Sequence, residues 1–310
     1  MQILIIGRNG QVAWELQRTL SVLGRVTALG RPEIDLKDLS SLRAAIRQHA
    51  PDLLVNAAAY TAVDQAESEP ELAMRINTEA PRVMAEEMPS HGVFVHYSTD
   101  FVYDGQKKSA YLEIDDPSPL NVYGASKLAG EEAIRATGSP HFIFRTSWVY
   151  GTRGRNFLGT VLRLAAEQKT LRIVNDQIGA PTWCRDIAAA TLAIASRLFE
   201  AGPTRLSAAA RQLSGTYHMS AGGEVTWYEF ACGIMADLRS LGFSAAHLPT
   251  VQPITSDEYQ APARRPHNSV LCNKKLNENF GVTLPHWRVS LRRVIEELAD
   301  ERRLPFPLAR

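Results

Sequence analysis

The first dozen residues constrain the fold most. An apolar run, Ile3-Leu4-Ile5-Ile6, is broken by Gly7, and a glycine-spaced turn, Gly7-Arg8-Asn9-Gly10-Gln11-Val12-Ala13, leads straight into an amphipathic stretch. Four apolar residues stopped by glycine are too short for a signal peptide or a membrane-spanning helix and suit a buried strand. The same alternation recurs: Val26–Leu29, Leu53–Ala57, Val93–Ser98 and Phe142–Thr146 read as strands. Between them, Trp14–Leu23, Ser40–His49, Glu71–Met88 and Tyr123–Ala136 carry helical spacing, with Asp38 and Ser40 as start signals and Gly24 and Gly138 as stops. This rhythm predicts an α/β chain: a Rossmann-type, doubly wound parallel sheet covered on both faces.

Beyond Tyr150 the pattern loosens. Thr170–Val174 and Thr216–Met219 read as strands, Ile187–Leu198, Trp227–Leu241 and Val289–Arg302 as helices, and the small-residue segment Ala201–Ser214 as an exposed loop. We expect a dinucleotide-binding domain over 1–150, completed by about 184–219, and a smaller C-terminal substrate-capping domain from 151–183 and 220–310. The 310 residues suffice for both. With 34 Lys+Arg against 33 Asp+Glu, no long-range field marks the chain for nucleic acid or a membrane surface. Cys184, Cys232 and Cys272 are far apart, which suits reduced thiols in a cytoplasmic protein.

In Gly7–Ala13 small residues would let backbone amides approach a pyrophosphate at a helix N-terminus, so Gly7, Gly10, Gln11 and Val12 are candidate cofactor residues. An NAD site would carry an acidic residue about 20 positions on. Here Gly30-Arg31 stands instead. The Arg31 guanidinium suits the 2′-phosphate of NADPH but is equally compatible with a solvated surface arginine, so NADH stays an alternative. Asp35 is a candidate adenine contact. The small residues Ala57, Ala58 and Ala59 after Asn56 suit close approach of the nicotinamide half, or tight helix–sheet packing. Tyr123 and Lys127 are spaced i, i+4 and so share a helix face; an ammonium beside a phenol would lower its pKa and make it an acid–base group. Thr99, at the end of a strand, would donate to a substrate carbonyl.

Together with Asn56–Asp64, His96–Asp100, Pro119–Gly124, Phe144–Tyr150 and Arg265–Ser269, these segments resemble the extended short-chain dehydrogenase/reductases. Within that family the resemblance, which covers nearly the whole chain, is to the reductases of nucleotide-linked 4-keto deoxysugars. It implies NADPH-dependent reduction at C4 of dTDP-4-dehydro-L-rhamnose, with Tyr123 as proton donor. It also implies cofactor contacts at Gly10, Gln11, Val12, Asp35, Leu36, Ala59, Tyr60, Thr61, Tyr97, Tyr123 and Lys127, and substrate contacts at Thr99, Asp100 and Trp148. Val63, Asp64, Arg265 and Asn268 are further substrate candidates: Asp64 is alternatively a helix cap, and Arg265 and Asn268 hold either the substrate diphosphate or a loop. The resemblance allows a Mg²⁺-bridged homodimer through Glu15, although a solvated helix carboxylate explains that residue as well. Departures are Ala13 for the usual third glycine, Arg31 for an acidic residue, and Phe101 after Asp100. Phe101 stands where a 4,6-dehydratase needs a glutamate. A sugar-nucleotide 4-epimerase keeps the same Thr, Tyr and Lys, and a non-catalytic NADP-binding regulatory subunit stays open; so does the polysaccharide, such as lipopolysaccharide, that would use the product.

Overall fold

The structure, a computed structural model, describes residues 1–199 and 211–305. Its centre is a six-stranded sheet in which every neighbouring pair is parallel. Strands β1 (Gln2–Ile6), β2 (Arg25–Leu29), β3 (Leu53–Asn56), β4 (Val93–Thr99) and β5 (His141–Thr146) are joined at one edge by Gly215–His218, which lies beside β5. β1 sits between β2 and β3, so the strand order reverses there. Ligands of doubly wound sheets lie at such a switch point, beyond the carboxyl ends of the strands.

Alternation along β1 shows why these runs are strands. Ile3 and Ile5 enter one core, with the helices Gln11–Thr19 (α1) and Cys184–Leu198; Leu4 and Ile6 enter another, with Leu39–His49 (α2) and Ala80–Glu86. Asp38 starts α2 as read from sequence, its carboxylate accepting from the amides of Ser40 and Ser41. A third core joins the helices Phe157–Glu167, Trp227–Ser240 and Trp287–Asp300. Thr170–Val174 is a strand, but it pairs with Thr250–Ile254 in a separate two-stranded sheet. Leu276, Phe280 and Leu284 pack in the first core, although they fall within the 220–310 stretch expected to cap the substrate.

The stretch read as one helix, Glu71–Met88, is three segments: Pro70–Met74, a π-helical turn Arg75–Glu79, and Ala80–Glu86. Pro81 is the physical reason: a proline inside a helix lacks the amide proton and clashes with the carbonyl four residues back, here that of Asn77. Residues 201–210 of the expected loop lie outside the described residues, and Arg211 and Gln212 are helical.

Candidate active site

A cleft of about 540 Å³ opens over the switch point, and most of the expected cofactor residues line it. Gly7, Gly10, Gln11 and Val12 form one wall, Arg31, Asp35 and Leu36 the next, and Ala57, Ala59 and Thr61 the opposite side, with Tyr97, Tyr123 and Lys127 at the far end. Gly7 has φ +107°, and a Cβ there would stand 2.9 Å from the Ala58 nitrogen, so only glycine keeps both backbones in place. Gly10 precedes α1 without a side-chain cap, leaving first-turn amides that suit a phosphate. On the cleft wall the Thr146 hydroxyl is buried without a hydrogen-bond partner among the described residues. A glycine cradle, an uncapped helix start and an orphaned hydroxyl are what a dinucleotide would satisfy, and the residues present fit it.

Tyr60 does not line this cleft. Asn77 of the π-turn holds its backbone from both sides, accepting from the Tyr60 amide and donating to the Tyr60 carbonyl, and its hydroxyl donates to Glu69 at 2.8 Å. The Tyr97 hydroxyl is hydrogen-bonded to Thr191 at 2.7 Å. The sequence reading missed Arg155, which lines the cleft from the loop after Tyr150; its signal was an arginine beside Gly154. Asn156 fixes that loop by donating to the Gly151 and Arg153 carbonyls and to Gln11.

The helix Val122–Ala136 carries Tyr123 and Lys127, and Asn121 caps it by accepting from the Gly124 amide. Gly130 packs it against the π-turn, since a Cβ there would overlap the Asn77 carbonyl oxygen at 2.1 Å. Lys127 is buried; its Nζ donates to the Tyr97 carbonyl at 2.6 Å and lies 3.0 Å from His96 Nε2. Burial pushes the amine down to about 8, against the pull of Glu131. The Tyr123 phenol, expected to be lowered by the ammonium, is instead pushed up to about 12 by burial; the Thr99 hydroxyl opposes that shift and the Asp100 charge adds to it. The site therefore keeps Tyr123 protonated at neutral pH, the form a proton donor needs.

The Thr99 hydroxyl donates to Asp100 Oδ1 at 3.0 Å and accepts from the Phe101 amide at 3.2 Å. Asp100 is pushed up to about 6 by burial, against the hydroxyls of Ser269, Thr99 and Ser147. Trp148, at φ +45°, stacks on Trp227 with ring centroids 3.4 Å apart, and Gly179 leaves room for its indole. Val63 begins the short helix Val63–Ala66. Asp64 pairs with Arg265 at 2.8 Å. The Asn268 amide donates to the Lys107 and Ser109 carbonyls, so it orders a loop in this structure.

Glu15 does not fit the cation site that the family resemblance allowed. It is buried and paired with Arg185 at 3.2 Å, and Arg185 also holds Glu297 at 2.7 Å. A guanidinium already neutralises the carboxylate, and no group of three or more His, Cys, Asp or Glu side chains suited to a metal occurs among the described residues.

The sequence pattern of the family described as RmlD substrate binding domain matches residues 1–300. A dTDP-4-dehydrorhamnose reductase of Burkholderia thailandensis is 47% identical over 304 residues, covering 97% of this chain and 100% of that protein. One of Escherichia coli K12 is 42% identical, covering 96% and 98%. Among solved structures, a dTDP-4-dehydrorhamnose reductase from Bacillus anthracis in complex with NADP matches with TM-score 0.82 and 33% identity, covering 95% of this chain and 98% of that one. A dTDP-4-dehydrorhamnose reductase from Clostridium acetobutylicum matches with TM-score 0.85 and 32% identity, covering 96% of this chain and 100% of that one.

Proposed function

The chain belongs to the RmlD substrate binding domain family, and from that premise we propose that it reduces the C4 keto group of dTDP-4-dehydro-L-rhamnose to dTDP-L-rhamnose with NADPH. One observation carries the reading: Tyr123, whose phenol meets the Thr99 hydroxyl, lines the far end of a cleft built for a dinucleotide, and burial favours its protonated form. NADPH, when bound, supplies the hydride that adds to C4. Tyr123 gives its proton to the carbonyl oxygen as that oxygen gains charge, and Thr99, turned from Asp100, hydrogen-bonds the same oxygen. Lys127 orients the ribose beside them. Gly7, Gly10, Gln11 and Val12 hold the pyrophosphate, and Arg31 the 2′-phosphate, with Asp35 and Leu36 beside the adenosine.

We assign the cofactor to residues 1–150 with 184–219 and the sugar nucleotide to the lobe of 151–183 and 220–310, apart from the part of that stretch packed in the first core. Trp148 and Asp100 are its contacts, and Val63 with the Asp64–Arg265 pair borders it. Among the described residues no helix is long and apolar enough to cross a membrane, and the reading is of a cytoplasmic enzyme.

The test is NADPH oxidation, followed by absorbance, with dTDP-4-dehydro-L-rhamnose formed in place and NADH in parallel. Stoichiometric oxidation with NADPH preferred supports the reading. A 4-epimerase would interconvert its substrates with no net oxidation, and a regulatory subunit would bind NADPH without turnover; either result removes the proposal. Arg155 offers a second measurement. Among the described residues no ion pair engages it, so its guanidinium is free for a phosphate of the cofactor. Arg155→Ala should weaken NADPH by about ten- to a hundredfold by titration, in keeping with roughly 1.5–3 kcal/mol for a charge-assisted hydrogen bond. An equal loss with NADH would assign the contact to the pyrophosphate, and a loss confined to NADPH to the 2′-phosphate; unchanged affinity for both would remove Arg155 from the site.

A further inference from the structure

Beneath Lys127 lies a buried polar chain that the mechanism above leaves unused. Asn56 Nδ2 is 3.0 Å from His96 Nδ1, and His96 Nε2 is 3.0 Å from Lys127 Nζ. All three side chains are at most 1% exposed, so water does not satisfy their polar atoms. Asn56 and His96 are register partners on β3 and β4, which sets the first contact by strand pairing alone.

The direction of this chain follows from its far end. The Ala58 amide donates to Asn56 Oδ1 at 3.1 Å, which leaves Nδ2, a donor, facing His96 Nδ1. Nδ1 must then accept. Burial holds the imidazole neutral, so its single proton sits on Nε2 and points at Lys127. A charged ammonium has only donors, and a donor facing it at this distance is repulsive; a neutral amine accepts the bond and still donates to the Tyr97 carbonyl. Flipping the Asn56 amide would reverse the chain but set its NH2 against the Ala58 amide.

We propose that Asn56 and His96 are a positioning pair that fixes both the place and the proton count of Lys127, with His96 Nε2–H directed at Nζ. The inference rests on Lys127 acting in keto reduction as proposed above. The groups around the amine are His96 and Tyr97 from β4, Asn56 from β3, Tyr123 and Glu131 from its own helix, and Arg145 from β5, which is paired to Glu131. Of these Glu131 favours the charged form, and burial opposes it. Asp100 acts on the neighbouring phenol. The sign is fixed: an amine held low loses its ammonium as pH rises through about 8.

The test is the pH titration of the Lys127 13Cε resonance, assigned by its loss in Lys127→Met, together with the pH profile of kcat. In His96→Gln the side-chain amide can turn its oxygen to Nζ. The Lys127 midpoint should then rise by about one pH unit, a tenfold change in its ionisation constant, and the alkaline limb of kcat should move with it. Asn56→Ala frees His96 to accept from Lys127 and should shift the midpoint the same way, which covers a failure of the first variant to fold. A wild-type midpoint in a folded variant overturns the proposal whatever its activity. A shifted midpoint in the variants beside a wild-type protein that reduces no substrate leaves the pair standing and removes the reductase reading instead.

Discussion

Replacing Tyr123 by Phe lowers kcat by about 10²–10⁴-fold and leaves NADPH affinity within about threefold. The substitution removes one oxygen from a ring that packs edge-on against Phe101 at 5.8 Å and leaves that contact in place. What is lost is the acid. Burial holds the phenol at about 12, so wild-type Tyr123 is fully protonated across the physiological range, and its own titration does not limit reduction there. On the alkaline side the expected limit is Lys127, which burial pushes down to about 8 so that its ammonium is lost as pH rises. Stopped-flow NADPH oxidation in the two proteins, with cofactor affinity measured separately by fluorescence, checks both halves. Equal turnover would exclude Tyr123 as the proton donor; a large loss of NADPH affinity would make it a binding residue.

The parts of the site that were legible in the sequence are those whose partners lie close along the chain. Gly7 to Val12, the Asp38 cap and the i, i+4 spacing of Tyr123 and Lys127 are local features, and local sterics or helical period decides them. The unread parts depend on contacts between distant segments. His96 lies 40 residues from Asn56 and 31 from Lys127, and nothing in a strand residue's immediate neighbours marks it as a lysine's partner. Glu15 looked like a solvated helix carboxylate or a cation ligand until Arg185, 170 residues away, closed on it. Asn268 was weighed for a diphosphate, yet its amide is spent on a loop near Lys107. The expected lowering of the Tyr123 phenol failed for a related reason. Spacing gives proximity to Lys127 but not desolvation, and in a buried site desolvation wins. The π-turn at 75–79 was missed although Pro81 was visible, because helical periodicity continues on either side of it.

Glu131→Gln should destabilise the fold by about 3–5 kcal/mol at neutral pH, the cost of leaving a buried guanidinium without its counter-charge. Glu131 is fully buried one turn beyond Lys127, and its carboxylate receives two hydrogen bonds from Arg145 on β5, at 2.9 and 2.6 Å. Burial alone would raise the carboxyl, but the hydrogen bonds and charge of Arg145 override it and hold the group below the ordinary carboxylate range. A depressed folded-state pKa contributes stability that is fully present above the unfolded value of about 4.3 and is lost as pH falls through the folded value. Denaturation midpoints should therefore separate the two proteins most at pH 7, and the gap should narrow as the medium becomes more acid than about pH 4. Adding Arg145→Met to Glu131→Gln should recover most of the loss, because the stranded charge is then gone. Glu131 also pulls Lys127 toward its charged form, so the folded single variant should lose the Lys127 ammonium at lower pH than the wild type. A gap that stays constant from pH 7 to pH 3, or a double variant no more stable than the single one, would show that the pair fastens the helix to the sheet by shape rather than by charge.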